Sequence, residues 1–263
     1  AYEIMPSLVG SEMCIRDREA RRRLVTDGRA PEQVKRIAEL VKTHHNPYGE
    51  PHDLRTQWHR MPSGTGRRLV YFTGCTAAYR HQEIARATVG VLQRLGFSVE
   101  VTPEEWCCGS PLFRTGFQSI GMEQAVHNVE VLNGIDAEAI VVSCPGCYRV
   151  LKSEYPQMGL KLSLPVLHIS EVLAEHVESI PSDAVSAIVT YHDPCHLGRH
   201  SGVFEEPRSV IERVTCNSVV EMARNRDNAM CCGNGAGMRV LRPERARIIG
   251  EARIEQALSL IHI

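Results

Sequence analysis

"RLVYFTGCTAAYRHQEIARATVGVLQRLGFSVEV", residues 68–101, decides the fold class. It opens on a short apolar run that stops at Gly74-Cys75. Residues 81–96 follow as an amphipathic helix closed by Gly96, and "FSVEV" (97–101) reads as a second strand. Downstream, "SIGMEQAVHNVEVLNG" (119–134) is helical, and "AEAIVVSC" (137–144) is a strand running into "CPGCYRVLKSEY". The order restarts at 185 with a strand "VSAIVTYHDPC" (185–195), a helix "EPRSVIERV" (206–214), a strand "NSVVEM" (217–222) and the loop "MCCG" (230–233). Strands alternating with helices imply right-handed crossovers and a parallel sheet covered on both faces. The expected class is therefore α/β, with two pseudo-repeated Rossmann-like units and parallel sheets, preceded by a helical segment.

Upstream, residues 19–45 read as one helix, and "NPYGEPHDLRTQW" (46–58) as a linker or packed loop. "PSGTG" (62–66) marks a boundary. "SLVGSEMCIRDR" (7–18) and "LSLIHI" (258–263) read as foreign flanks. The expected organisation is a non-native flank at 1–18, a helical segment and linker at 19–66, a first unit at 67–180, a second at 181–257 and a non-native flank at 258–263.

Composition narrows the function. A formal charge of −1 argues against non-specific nucleic-acid binding, and the isolated run "RDREARRR" (16–23) reads as a solvated helix face. No stretch approaches the roughly 20 continuous apolar residues of a membrane span, and residues 1–10 lack the pattern of a secretory signal. The expected location is cytoplasmic. Ten cysteines in such a compartment favour metal binding or redox chemistry over structural disulfides.

Their spacing is the strongest signal. Cys75 is followed after 31 residues by Cys107-Cys108-Gly109, and after 35 more by Cys144-Pro-Gly-Cys147. Cys195 is followed after 35 residues by Cys231-Cys232-Gly233. One further step of the same length falls beyond residue 263, so the second unit is expected to lack its C-x-x-C for that reason. Each of these cysteines lies just after a strand, at the edge where open α/β sheets bind ligands. Five cysteines are one too many for a zinc ion, which takes four ligands. A four-iron cluster takes four thiolates, leaving the fifth to bridge two irons or stay free as a redox thiol. Gly109, Gly146 and Gly233 are expected to let backbone approach such a cluster.

The repeated Cys…Cys-Cys-Gly…Cys-x-x-Cys pattern resembles the cysteine-rich CCG domain of heterodisulfide reductases and of iron–sulfur subunits in glycolate, lactate and glycerol-3-phosphate oxidation. "YFTGCTAAYR", "EEWCCGSPLFRTG", "SCPGCYRVLKSEYP", "TYHDPCHLGRH" and "NRDNAMCCG" look most like the D-type heterodisulfide reductase subunit. The resemblance implies a non-cubane [4Fe-4S] cluster on Cys75, Cys107, Cys108, Cys144 and Cys147. It implies a partial second site on Cys195, Cys231 and Cys232, and reduction of a small disulfide between two such clusters. It also implies partner subunits, a membrane cytochrome b or a flavoprotein together with ferredoxin-type clusters, and hence peripheral placement on the inner membrane face. No C-x-x-C-x-x-C-x-x-x-C run is present, so those entry clusters are expected elsewhere. The chain is expected to be a fragment that does not turn over alone. His196, directly after a ligand, is the candidate proton donor, and Arg199 the candidate holder of a substrate phosphate or carboxylate. Two other readings stand beside this one. The first is an electron-relay subunit of a hydroxy-acid or glycerol-3-phosphate dehydrogenase; the second is a zinc-stabilised scaffold without redox activity.

Overall fold

Strands β1 (Arg68–Phe72) and β3 (Ala139–Val142) are almost wholly apolar and buried, as befits strands covered on both faces. In the computed structural model they pair in parallel, Val70 opposite Ile140 and Phe72 opposite Val142. Strand β2 (Ser98–Glu100) flanks β1, and β4 (Val166–His168) flanks β3, giving one all-parallel sheet in the order β2-β1-β3-β4. The structure describes residues 12–59, 66–182, 185, 187–235 and 237–262.

Period-two alternation sorts the strand residues between two cores. Leu69, Tyr71, Ala139 and Val141 face α4 (Gln82–Arg94) through Ala85, Val89 and Leu92. Val70, Phe72, Ile140 and Val142 face α6 (Gln118–Asn133) through Ala125 and Leu132. The chain leaves β1 over one face to reach β2, then crosses the other face to β3. The crossovers diverge between β1 and β3, so the sheet has its topological switch point there. Three short helices begin at its carboxyl edge: α3 (Gly74–Tyr79), α5 (Ser110–Thr115) and α7 (Pro145–Arg149).

The expected single helix over 19–45 is two helices, α1 (Glu12–Thr26) and α2 (Glu32–His44). Gly28, at φ 70°, ends α1; its N–H bonds the Val25 carbonyl while Arg29 N–H bonds that of Leu24, and Pro31 precedes α2. Helix α1 thus runs through residues 12–18, expected to be foreign; residues 1–11 and 62–65, which carry other expected boundaries, lie outside the described residues. The 46–58 stretch is a packed loop. Asn46 ties its own turn through His44 O, Glu50 O and the Tyr48 and Glu50 N–H groups, and Trp58 is buried in the α4-side core.

A π-turn (Val150–Glu154) leads to α8 (Tyr155–Gln157); beyond β4 come α9 (Ile169–Glu175) and α10 (Glu205–Thr215), which pack together. The second unit departs from expectation. No strand forms over 185–195 or 217–222 among the described residues, although Val220 N–H still reaches the Val189 carbonyl. Parallel strands need cover on both faces, and here Ile188 is 87% exposed. A buried ion network fixes this region instead. Arg208 grips both Asp193 oxygens at 2.7 and 2.9 Å and Glu221 at 2.6 Å. Helices α11 (Met238–Leu241) and α12 (Pro243–Leu258) close the chain. No helix among the described residues is long and apolar enough to cross a membrane.

Candidate metal centre

The carboxyl edge of the sheet gathers the first cysteine set. Cys75 follows β1 at the start of α3, Cys107 and Cys108 follow β2, and Cys144 and Cys147 follow β3 at the N-terminus of α7. Their side chains touch in one continuous line: Cys75 to Cys107, Cys107 to Cys108, Cys108 to Cys147 and Cys147 to Cys144. All five line a cavity of about 780 Å³. Hydrogen bonds from Cys107 and Cys147, joined by Ser110 N–H and Arg114, hold the Cys108 thiol well below the usual range. A hydrogen bond from Cys147 likewise lowers Cys144, while Cys107 and Cys147, hydrogen-bonded to their neighbours and buried, are pushed up. Adjacent thiols cannot all ionise alone; a cationic group taking the place of the shared protons would let them.

The backbone around the pair is fixed. Asn128 accepts from Trp106 N–H at 2.9 Å and donates to the Cys107 carbonyl at 3.1 Å; Tyr155 donates to the Cys108 carbonyl at 3.2 Å. Cys107 N–H bonds the His45 carbonyl. The glycines divide into two kinds. At Gly74 a Cβ would lie 3.1 Å from Cys147 Sγ, and at Gly146 it would lie 3.6 Å from Cys144 Sγ and from His196 Nδ1, so both keep the cavity clear. Gly109 is required by its backbone conformation and packing. At φ 81° it turns the chain away behind the cysteines, where a Cβ would lie 2.6 Å from the Phe113 ring. Gly233, at φ 77°, has its Cβ position 2.3 Å from the Ala246 carbonyl, while its N–H donates to Cys231 Sγ at 3.3 Å, the approach expected of it.

Cys195, Cys231 and Cys232 line a second cavity of about 310 Å³. Here Cys232 is lowered to about 4 by hydrogen bonds from Cys231 and His192, Cys231 is raised by its bond to Cys232, and burial raises Cys195. Arg253 Nε donates to His192 Nδ1 at 3.0 Å, which leaves Nε2 as the protonated nitrogen of that ring.

Arg114 and His196 line both cavities. Arg114 Nε donates to His196 Nε2 at 3.3 Å, so the His196 proton sits on Nδ1. Burial, then Arg114 and Arg149, lower His196 to about 2, which keeps the ring neutral. The candidate proton donor thus carries its hydrogen on Nδ1. Arg199 lines the second cavity, but its guanidinium donates to the Asp227 carbonyl at 2.9 and 2.7 Å and the Ala229 carbonyl at 2.8 Å. It clamps the loop before Cys231 instead of presenting a free fork to an anion.

Sequence reasoning missed the carboxylate that gathers three arginines lining the second cavity. Glu154, carried inward by the π-turn, receives Arg18 at 2.9 Å and Arg114 and Arg149 at 3.1 Å on one carboxylate oxygen. The arginines follow the Cys-Cys-Gly and C-x-x-C motifs closely, a signal available in "SPLFRTG" and "CYRV". His81 pairs with Glu83 at the surface, His45 stacks on Trp106 at 3.5 Å, and Cys216 is exposed. None of the three lines a cysteine cavity.

The donor set fits an iron–sulfur group. Five thiols linked in one line of contacts border one cavity that Gly74 and Gly146 keep open. Fold and site together define an α/β protein built around cysteine sets at the carboxyl edge of its sheet. The cysteine-rich CCG domain matches residues 69–152 and 189–261, and the chain belongs to that family. It is 39% identical over 231 residues to the D subunit of the dihydromethanophenazine:CoB–CoM heterodisulfide reductase of Methanosarcina barkeri, covering 83% of this chain and 56% of that one. It is 39% identical over 195 residues to the B subunit of the fumarate reductase (CoM/CoB) of Methanothermobacter marburgensis, covering 74% and 38%. It is 30% identical over 262 residues to the probable iron-sulfur-binding oxidoreductase FadF of Bacillus subtilis, covering 92% and 37%. The chain thus spans about half the length of the first of these relatives and less of the others.

Proposed function

We propose that this chain is the iron–sulfur catalytic part of a heterodisulfide-reductase-like oxidoreductase that reduces a small disulfide. Cys75, Cys107, Cys108, Cys144 and Cys147 hold a non-cubane [4Fe-4S] cluster, and Cys195, Cys231 and Cys232 form part of a second site. The observation that carries this reading is the unbroken line of five thiols beside a cavity that shares Arg114 and His196 with the cavity of the other three. When bound, the cluster supplies one-electron transfer at thiolate-held iron.

Reduction of one disulfide consumes two electrons and two protons. The electrons come from partner redox subunits, a membrane cytochrome b or a flavoprotein acting through ferredoxin-type clusters, the protons come from solvent water, and the complex works on the cytoplasmic side. The chain's own groups orient the substrate: His196 offers its Nδ1–H at the common wall, and Arg114 and Arg149 make the second cavity positive. The relatives' names support an iron–sulfur oxidoreductase role.

Iron, sulfide and zinc analysis with EPR on the anaerobically reconstituted chain tests the proposal. About four irons per chain, lost in Cys107→Ser and in Cys108→Ser, is the expected result. Zinc without iron in fresh protein, and no cluster after reconstitution, would overturn it in favour of a scaffold.

A further inference from the structure

Arg55 lies in the packed loop at 46–58, on a 3-10 turn (His52–Thr56), and its side chain is 1% exposed. A fully buried guanidinium must have a dense set of acceptors, because desolvation alone costs several kcal/mol. Its Nε donates to the Glu105 carbonyl at 2.5 Å and its Nη2 meets Glu105 Oε1 at 3.3 Å. The same Nη2 donates to Cys75 Sγ at 3.5 Å, with Nη1 at 3.9 Å. Glu105 in turn accepts the Thr73 and Gly74 N–H groups at 2.7 and 2.9 Å, the two peptides that lead into Cys75. One ion pair therefore fixes the backbone before a cysteine of the first set and reaches its sulfur.

We infer that Arg55 is a positioning residue that sets the reduction potential of the group held at Cys75, through its N–H···S hydrogen bond. The inference rests on the cluster reading of the first cysteine set. An N–H donor withdraws charge from a thiolate and favours the more negative, reduced state, which raises the potential. The Glu105 carboxylate, 3.3 Å from Arg55, opposes the guanidinium's longer-range field. What remains is the short-range hydrogen bond, and that distinguishes Arg55 from a distant surface charge.

The test is a redox titration followed by EPR on the full chain, reconstituted as wild type, Arg55→Lys and the charge-neutral double variant Arg55→Met/Glu105→Gln. Both variants are expected to take up wild-type iron and to titrate at more negative potential. Loss of one charge-assisted hydrogen bond corresponds to a roughly tenfold fall in the reduced-to-oxidised ratio at fixed potential, about 59 mV for a one-electron couple. Iron-loaded variants with unchanged potentials would overturn the inference and leave the cluster reading intact, whereas a wild-type chain that takes up no iron would overturn both. Should the variants fail to fold, wild-type protein carrying 15N-guanidino arginine decides the matter by pulsed EPR. A resolved arginine-nitrogen coupling is expected, and its absence refutes the contact.

Discussion

Replacing Glu154 with Gln tests the electrostatics of the arginines that line the second cysteine cavity. One carboxylate, 8% exposed, receives three guanidiniums, of which Arg114 is 7% exposed, Arg149 16% and Arg18 23%. Burial raises the Glu154 carboxyl, but Arg114, Arg18 and Arg149 together hold it below the usual range. The substitution keeps size and a carbonyl acceptor yet removes the only negative charge in those three contacts. Stranding the buried Arg114 costs about 3–5 kcal/mol. Losing the partly exposed Arg18 and Arg149 contacts adds about 1 kcal/mol or less each, because solvent screens them. At roughly 2–4 °C per kcal/mol, the melting temperature falls on the order of 10 °C.

Arg18 is also a tether of α1, together with the Arg21 bond to the Arg114 carbonyl at 2.7 Å. Limited trypsin digestion should therefore cut the Glu154→Gln variant within residues 16–23 faster than wild type. Sulfate should recover part of the lost melting temperature by supplying an anion to the cluster of arginines. A fall under about 2 °C, with α1 protected as before, would refute the reasoning. It would mean that carbonyls and water already satisfy the arginines, as Arg114 does at Ser110 O and Oγ.

Other expectations follow from single contacts. Gly109→Ala should lose about 2–4 kcal/mol in denaturant unfolding, combining a left-handed backbone with a clash against Phe113, and Phe113→Leu should recover part of it. Arg208→Met, which strands the buried Asp193 beside Cys195, should lower stability by about 3–5 kcal/mol and weaken any metal uptake by the second set more than by the first. His168, lowered to about 4 by burial that outweighs the opposing pull of Ser143 O and Glu171, binds its proton more readily when unfolded. Its contribution is present above pH 6.5 and is lost as pH falls towards 4, so His168→Gln should flatten the acid limb of stability by about 3 kcal/mol, measured as a difference from wild type. Cys216→Ser, at an exposed thiol, should leave iron content unchanged.

What the sequence disclosed depended on the range of the forces involved. The apolar runs of β1 and β3 and the period of α4 and α6 were legible because burial on both faces writes a continuous pattern. Strand β4 was not, since three residues between Pro165 and α9 show no period. The runs at 185–195 and 217–222 misled for the opposite reason: they have strand composition but no cover over Ile188. Glu154 was hidden by a π-turn, whose side-chain phase no 3.6-residue pattern anticipates. Arg55 was hidden by distance, its partners lying 20 and 50 residues away in the chain.

The two Cys-Cys-Gly turns separate the local rule from the non-local one. In both copies the two neighbouring thiols touch, and the residue after them turns the chain away in the left-handed conformation, which glycine takes without strain, here at φ 81° and 77°. What lies behind each glycine differs, a phenyl ring in one copy and a helix carbonyl in the other. The turn is the same although the first copy rests on a four-stranded sheet and the second has no strand among its described residues. The Cys-Cys-Gly turn is thus common to both copies, while burial differs between them: Cys107 and Cys108 are enclosed, whereas Cys231 and Cys232 are exposed. A metal group held in the second set should consequently be lost to chelators before one held in the first, and spectroscopy during timed chelation would show the order.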